Sequence, residues 1–193
     1  MHTHFWLIPL LPLFGAMVLG LLGRRIGRYG VAILGVGTVL ASFVLALSAF
    51  AAMRAAPGLR LESMAFEWMS VDSLHVPLGM VLDPLSCLMA LLVSGISALI
   101  HLYSVGYMWE EEGFARYFAY LNLFVFFMLT LVLGSSLPLL FVGWEGVGLC
   151  SYLLIGFYFE TDYAPAAGLK AFLANRVGDL GMILGMMALF AHF

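Results

Sequence analysis

The sequence predicts an all-α integral membrane protein with about six transmembrane helices. Three observations carry that class. The 193 residues are 64% hydrophobic and 10% charged, with a mean hydropathy of +1.07, whereas a soluble domain is about half apolar and about a quarter charged. The apolar residues gather into runs of roughly 20 residues, the length that crosses a bilayer core. A few ionisable residues stand alone inside those runs, foremost Glu145 in Gly143-Trp144-Glu145-Gly146-Val147-Gly148-Leu149-Cys150-Ser151-Tyr152. A carboxylate in hydrocarbon is expensive unless it is protonated, paired or hydrated, so it marks a functional position by default.

The first span is expected over Phe5–Gly23. It has no basic stretch before its apolar run, so it reads as a retained helix rather than a cleaved signal. Arg24, Arg25 and Arg28 follow it and form the strongest basic cluster of the chain. The bias of lysine and arginine toward cytoplasmic loops puts this connection inside and the N-terminus outside. The second span is Tyr29–Met53. Arg54–Met80 is then the one long loop and lies outside. Its alternation through Leu59-Arg60-Leu61-Glu62 and on to Phe66-Glu67-Trp68 reads as a short hairpin or interfacial cover.

The third span, Leu82–Gly106, opens on Asp83-Pro84, the pattern of an N-cap followed by a first-turn proline. The acidic turn Trp109–Gly113 lies inside, with Arg116 just beyond. The fourth span is Phe114–Gly134, and Gly134-Ser135-Ser136 makes a tight outer turn. The fifth is Leu137–Phe159, followed inside by Glu160-Thr161-Asp162-Tyr163. The sixth is Pro165–Phe190, which directs the C-terminus outside. Acidic loops weigh little in topology, so Glu110, Glu111 and Glu112 do not oppose this order.

Depth singles out the residues that can carry chemistry. Counted from Leu137, Glu145 lies about 12 Å into its helix; counted from Pro165 on the other side, Arg176 and Asp179 lie about 16 and about 21 Å deep. In a core about 30 Å thick these depths coincide, so a charged layer across the fifth and sixth helices is expected. Gly148 and Tyr152 share the face of Glu145 at i+3 and i+7. Gly148 permits close approach or a water molecule, and Tyr152 offers a hydroxyl. Arg176 and Asp179 are i, i+3 neighbours and are expected to pair with one another, either as a packing device or in a proton relay. Lys170 falls on roughly the opposite face from Asp179 and is placed to snorkel to the inner surface. His101, near the inner end of the third helix, reads as a hydrogen-bonded anchor, with a relay role as the alternative because of its near-neutral titration. Cys87 and Cys150 lie in apolar runs and read as core residues, not as a disulfide or metal pair.

Several function classes fall away at this stage. There is no basic patch for nucleic acid. Nucleotide fingerprints, haem motifs and iron–sulfur cysteine patterns are missing from the sequence, so no redox chemistry and no cofactor is expected of the chain itself.

Four stretches carry a family resemblance: Asp83-Pro84-Leu85-Ser86; His101-Leu102-Tyr103-Ser104-Val105-Gly106-Tyr107-Met108; Phe141-Val142-Gly143-Trp144-Glu145-Gly146-Val147-Gly148-Leu149; and Lys170-Ala171-Phe172 with Asn175-Arg176-Val177-Gly178-Asp179. The chain resembles the antiporter-like subunits of proton-pumping NADH:quinone oxidoreductase (complex I), the family of subunit L and its mitochondrial counterpart, chain 5. The resemblance implies the leading part of a fold of 14 or more helices. It divides the chain into N-terminal transmembrane helices over 1–113, with an external loop at 54–80, and the first three helices of an incomplete antiporter-like repeat over 114–193. It implies that Glu145 belongs to the proton-translocation machinery, with Arg176, Asp179 and, more weakly, Lys170 and His101 beside it. It further implies the other membrane subunits of complex I and the lipid bilayer as partners, and a bacterial energy-transducing plasma membrane as the location. Family members are some three times longer, and their lysine partner for the glutamate lies on a later helix. The chain is therefore expected to be a fragment or a split subunit. Subunits of cation/proton antiporters, membrane hydrogenases and inorganic-carbon uptake complexes share these motifs, so an antiporter subunit and an inactive truncated fragment remain as alternatives.

Overall fold

The computed structural model describes residues 5–56, 58–71 and 74–192. The elements run α1 (Leu7–Ala55), β1 (Leu61–Val71), β2 (Leu74–Leu82), α2 (Pro84–Tyr107), α3 (Phe114–Leu133), α4 (Leu137–Ile155) and α5 (Tyr163–His192). All five helices are long and apolar enough to cross a membrane, and the chain is an integral membrane protein.

The first two expected spans form one hydrogen-bonded element, α1, with a break at Gly27, where φ is 78° and ψ is 163°. Only glycine takes that conformation without steric cost, so the reversal falls on it, inside the arginine cluster. The two halves then lie against each other. The Ser42 hydroxyl donates to the Ile8 carbonyl at 2.6 Å, and a Cβ on Gly15 would stand 2.6 Å from Thr38 Oγ1. The chain thus passes through the bundle six times, as the apolar runs predict.

The long loop is a hairpin, and a more extended one than the sequence suggests. β1 and β2 pair antiparallel from Leu61 opposite Leu82 to Val71 opposite Leu74, with irregularities between Met64 and Phe66 and between Glu67 and Met69. The hairpin is fastened to the turn between α3 and α4. The Ser135 N–H donates to the Gly79 carbonyl at 3.1 Å, the Ser136 hydroxyl to the Pro77 carbonyl at 3.2 Å, and Met80 bridges to Gly134. Strand β2 therefore holds the start of α4.

Asp83 caps α2 as expected. Its side chain accepts from the Ser86 N–H at 2.7 Å, while the Ser86 hydroxyl accepts from the Asp83 N–H at 2.8 Å, a reciprocal capping box. The Ser86 N–H holds the Asp83 carboxyl below the usual carboxylate range, against a smaller opposing effect of burial. α4 stops at Ile155, short of the expected Phe159. Past it, the Arg116 guanidinium stacks 4.8 Å from the ring centres of both Phe157 and Phe159 and donates to the Phe157 carbonyl at 3.2 Å. α5 starts at Tyr163, with Pro165 in its first turn, where a proline costs no hydrogen bond.

Three connections meet at one end of the bundle. Arg28 donates to the carbonyls of Trp109, Glu110 and Glu111, and the Tyr158 hydroxyl donates to Glu111 at 3.3 Å. Partial burial, then the Glu111 charge, raises the Tyr158 phenol above its ordinary range. The hairpin and the Gly134 turn sit at the other end, in agreement with the predicted alternation of loops.

The core has two apolar clusters. One joins Ile8, Val39, Leu82, Cys87, Val125, Leu129 and Leu133; the other joins Leu19, Val31, Phe114 and Phe118. Between them lies a buried polar knot. Thr38 donates to Asn122 Oδ1 at 2.8 Å, and Asn122 Nδ2 donates to the carbonyls of Phe118 and Gly35 at 3.0 and 3.3 Å and faces His101 Nε2 at 3.3 Å. The other ring nitrogen of His101 bonds the Ser97 carbonyl at 2.7 Å. His101 thus has a partner at each ring nitrogen and helps to join α1, α2 and α3. Cys87 and Cys150 are free and buried.

Candidate functional site

α5 packs chiefly against α4, and what joins the two helices in mid-span is polar. Arg176 Nη1 lies 2.6 Å from Glu145 Oε2 and 3.7 Å from Asp179 Oδ2. The first distance is a charge-assisted hydrogen bond; the second is electrostatic contact only. The expected charged layer is present. The expected Arg176–Asp179 ion pair is there at 3.7 Å, but Arg176 holds Glu145 of the neighbouring helix more closely, at 2.6 Å. Side-chain length explains this. The i, i+3 offset brings Arg176 and Asp179 onto one face, but the long guanidinium stem reaches past the short aspartate to the facing helix.

Asp179 has a second and closer partner. The Trp144 indole N–H donates to its Oδ1 at 2.8 Å. Asp179 is 4% exposed, the one buried charged residue among those described. Trp144 and Glu145 are consecutive, about 100° apart around α4, so they straddle the line where α5 docks. Each takes one of the two charged residues in the middle of α5, Arg176 and Asp179. Phe172 lies under the guanidinium, 4.4 Å from Arg176 Cζ to the ring centre. A Cβ on Gly148 would be 3.4 Å from Asn175 Nδ2, so the glycine admits the α5 side chain, as its spacing predicts. Tyr152 turns instead to the Phe172 ring, at 5.7 Å between centres.

The other sequence-predicted residues stay apart. Lys170 is exposed on α5 and has no ion pair among the described residues. His101 belongs to the Thr38–Asn122 knot. Trp144 was missed as a site residue; the signal that points to it is that a buried aspartate needs a donor, and an indole N–H has only one hydrogen bond to give. Among the described residues no three His, Cys, Asp or Glu side chains gather as a metal site.

Around this layer, α5 is bare on the side away from α4. Val177 is 75% exposed, and a Cβ on Gly178, Gly181 or Gly185 would meet nothing within 4 Å. The chain thus combines six passes, a hairpin and an acid–base pair shared by adjacent spans. The sequence matches the family profile described as NADH-ubiquinone oxidoreductase (complex I), chain 5 N-terminus, over residues 68–118, and the profile described as NADH:quinone oxidoreductase/Mrp antiporter, TM, over residues 134–192. The chain belongs to this family of complex I subunit L, chain 5 and related antiporter-like subunits.

Among its relatives, NADH-quinone oxidoreductase subunit L of Mycobacterium tuberculosis is 45% identical over 99% of this chain and 30% of its own length. NADH-ubiquinone oxidoreductase chain 5 of Arabidopsis thaliana is 43% identical over 98% of this chain and 28% of its own length. The chain thus spans under a third of the curated relatives it matches. Among solved structures, the Mrp complex from Dietzia sp. aligns at TM-score 0.77 and 27% identity over 94% of this chain and 19% of that one. The archaeal membrane-bound sulfane sulfur reductase aligns at TM-score 0.79 over 94% and 36%; at 20% identity it speaks for the fold alone.

Proposed function

We propose that the chain is the leading part of a proton-translocating membrane-arm subunit of NADH:quinone oxidoreductase, coupling quinone reduction in other subunits to proton transport. The observation that carries this reading is the contact of Arg176 with Glu145 across two adjacent spans. A nearby cation favours an ionised carboxyl, and its withdrawal favours the proton. A carboxyl whose cation has a second anion within reach can therefore take up and release a proton as that cation moves. In this reading Glu145 is the titrating acid, Arg176 the movable cation and Asp179 its alternative partner. Lys170 and His101 are weaker members, Lys170 placed toward the inner surface.

The proposal takes 1–113 as the N-terminal helices with the hairpin and 114–193 as the first three helices of the antiporter-like repeat. It places the chain in a bacterial plasma membrane with the N-terminus outside, beside other membrane subunits of the complex, with no cofactor bound to the chain itself. The Mrp likeness supports a second reading, a subunit of a cation/proton antiporter.

The test is a graft of residues 1–193 onto the remainder of a subunit L, assembled in its complex in inverted vesicles. NADH-driven acidification of the vesicle interior supports the first reading. Acidification that fails while an imposed sodium gradient still drives proton exchange favours the second.

A further inference from the structure

We propose that Trp144 is a positioning residue that sets which carboxylate holds Arg176, a refinement that rests on the proton-translocation reading above. One guanidinium nitrogen faces two acids, at 2.6 Å from Glu145 and 3.7 Å from Asp179. What makes the two acids unequal is the indole. Its N–H, 2.8 Å from Asp179 Oδ1, occupies one aspartate oxygen and fixes the carboxylate plane, leaving only Oδ2 to compete for the cation.

Trp144 is suited to this by its mounting. It sits next to Glu145 on α4, yet it bonds a residue of α5, so it crosses the helix interface at the level of the pair. Its ring is 46% exposed while its N–H is spent on a buried oxygen, so the bond holds the ring from one end. The aspartate is thereby an acceptor that is already partly satisfied. Arg176 rests on Glu145, and a displacement of about 1 Å takes it to hydrogen-bond distance of Asp179 Oδ2. When Arg176 makes that move, it withdraws electron density from the carboxylate that Trp144 binds, and the indole bond weakens. Trp144 thus senses the state of Glu145 through Arg176, as well as setting it.

The experiment reads the indole directly. The full 193-residue chain is labelled with 15N-tryptophan and placed in lipid nanodiscs, and the Trp144 signal among the four tryptophans is identified by its loss in Trp144→Phe. Asp179→Asn, which weakens the acceptor, moves the indole proton upfield. Glu145→Gln, which releases Arg176 toward Asp179, moves it the same way. In an Arg176→Ala background Glu145→Gln no longer moves it. An indole signal unmoved by Glu145→Gln overturns the proposal. So does a signal moved equally with and without Arg176, because the effect is then only that of a chain neighbour.

A second arm replaces Trp144 with its benzothienyl isostere in the grafted complex, which keeps the ring shape and deletes the N–H. Proton pumping falls about tenfold, the worth of one hydrogen bond to a charged group, and Trp144→Phe falls at least as far. Unchanged pumping in the isostere, where Glu145→Gln abolishes it, removes the positioning role and leaves the proton-translocation reading intact. Normal pumping in Glu145→Gln removes that reading itself, whatever the indole shows.

Discussion

Gly143 is where the packing of α4 and the geometry of the charged layer meet. A Cβ added there would stand 2.6 Å from the Leu131 nitrogen, 2.7 Å from its Cα and 2.8 Å from its Cβ. Two of these three atoms are α3 backbone, which no rotamer change can move aside. Ordinary contact begins near 3.4 Å, so Gly143→Ala pushes α4 from α3 by about 0.8 Å or more, and overpacking of this kind costs about 1–3 kcal/mol. Glu145 is two residues further along α4 and travels with it. Its 2.6 Å bond to Arg176 is only about 1 Å shorter than the competing distance to Asp179, and a misplacement of about 1 Å can cost on the order of 100-fold in rate.

The assay pairs Gly143→Ala with Gly181→Ala, a helical glycine whose Cβ would meet nothing within 4 Å. Unfolding is followed by circular dichroism during detergent titration, and pumping is followed in the grafted complex. Gly143→Ala loses both stability and pumping. Gly181→Ala gains up to about 1 kcal/mol in the 193-residue chain, as alanine does in place of a helical glycine with open space around it. Normal stability and pumping in Gly143→Ala would refute the view that close α3–α4 approach positions Glu145.

Three further outcomes are expected. Asp83→Ala removes the capping box of α2 and costs about 1 kcal/mol; because the folded carboxyl titrates below its unfolded value, the cap's contribution is complete above that unfolded value, near 3.8, and is lost as pH falls through the folded one, which thermal melts of wild type and variant at descending pH will show as converging curves. Asn122→Leu leaves His101 Nε2 without its partner in the buried knot, while the Thr38 hydroxyl keeps the Leu34 and Gly35 carbonyls, and should destabilise the chain by about 1–3 kcal/mol for the one group left unsatisfied; a melt within error of wild type would contradict this. Arg60→Cys, on the hairpin, should react with a membrane-impermeant thiol reagent from the outer side, and labelling only from the cytoplasm would invert the topology.

The spans were legible because a bilayer demands a fixed run of apolar residues, and the sequence shows those runs whole. The break at Gly27 was legible as a region, through the arginines around it, but not as one residue, since a positive φ is chosen by how the two halves pack. The hairpin showed in its alternation and the α2 cap in Asp83-Pro84, both local signals. The depths of Glu145, Arg176 and Asp179 were readable by counting turns from opposite surfaces, and that count placed them in one layer. Who pairs with whom in that layer was not readable. Helical spacing compares residues on one helix, so it offered Asp179 to Arg176 and had no means of weighing Glu145 on another. The same blindness hid Trp144, whose partner is 35 residues away, and the union of Thr38, His101 and Asn122 from three helices.

The most direct measurement is the number of protons pumped per electron by the grafted complex carrying Glu145→Gln, with Glu145→Asp beside it. Glutamine keeps the size and hydrogen-bonding capacity of the side chain and removes only its titration. The glutamine variant should assemble with much reduced pumping per electron, and the aspartate variant should retain part of it. An unchanged ratio in Glu145→Gln would show that the Glu145–Arg176 contact only holds α4 to α5.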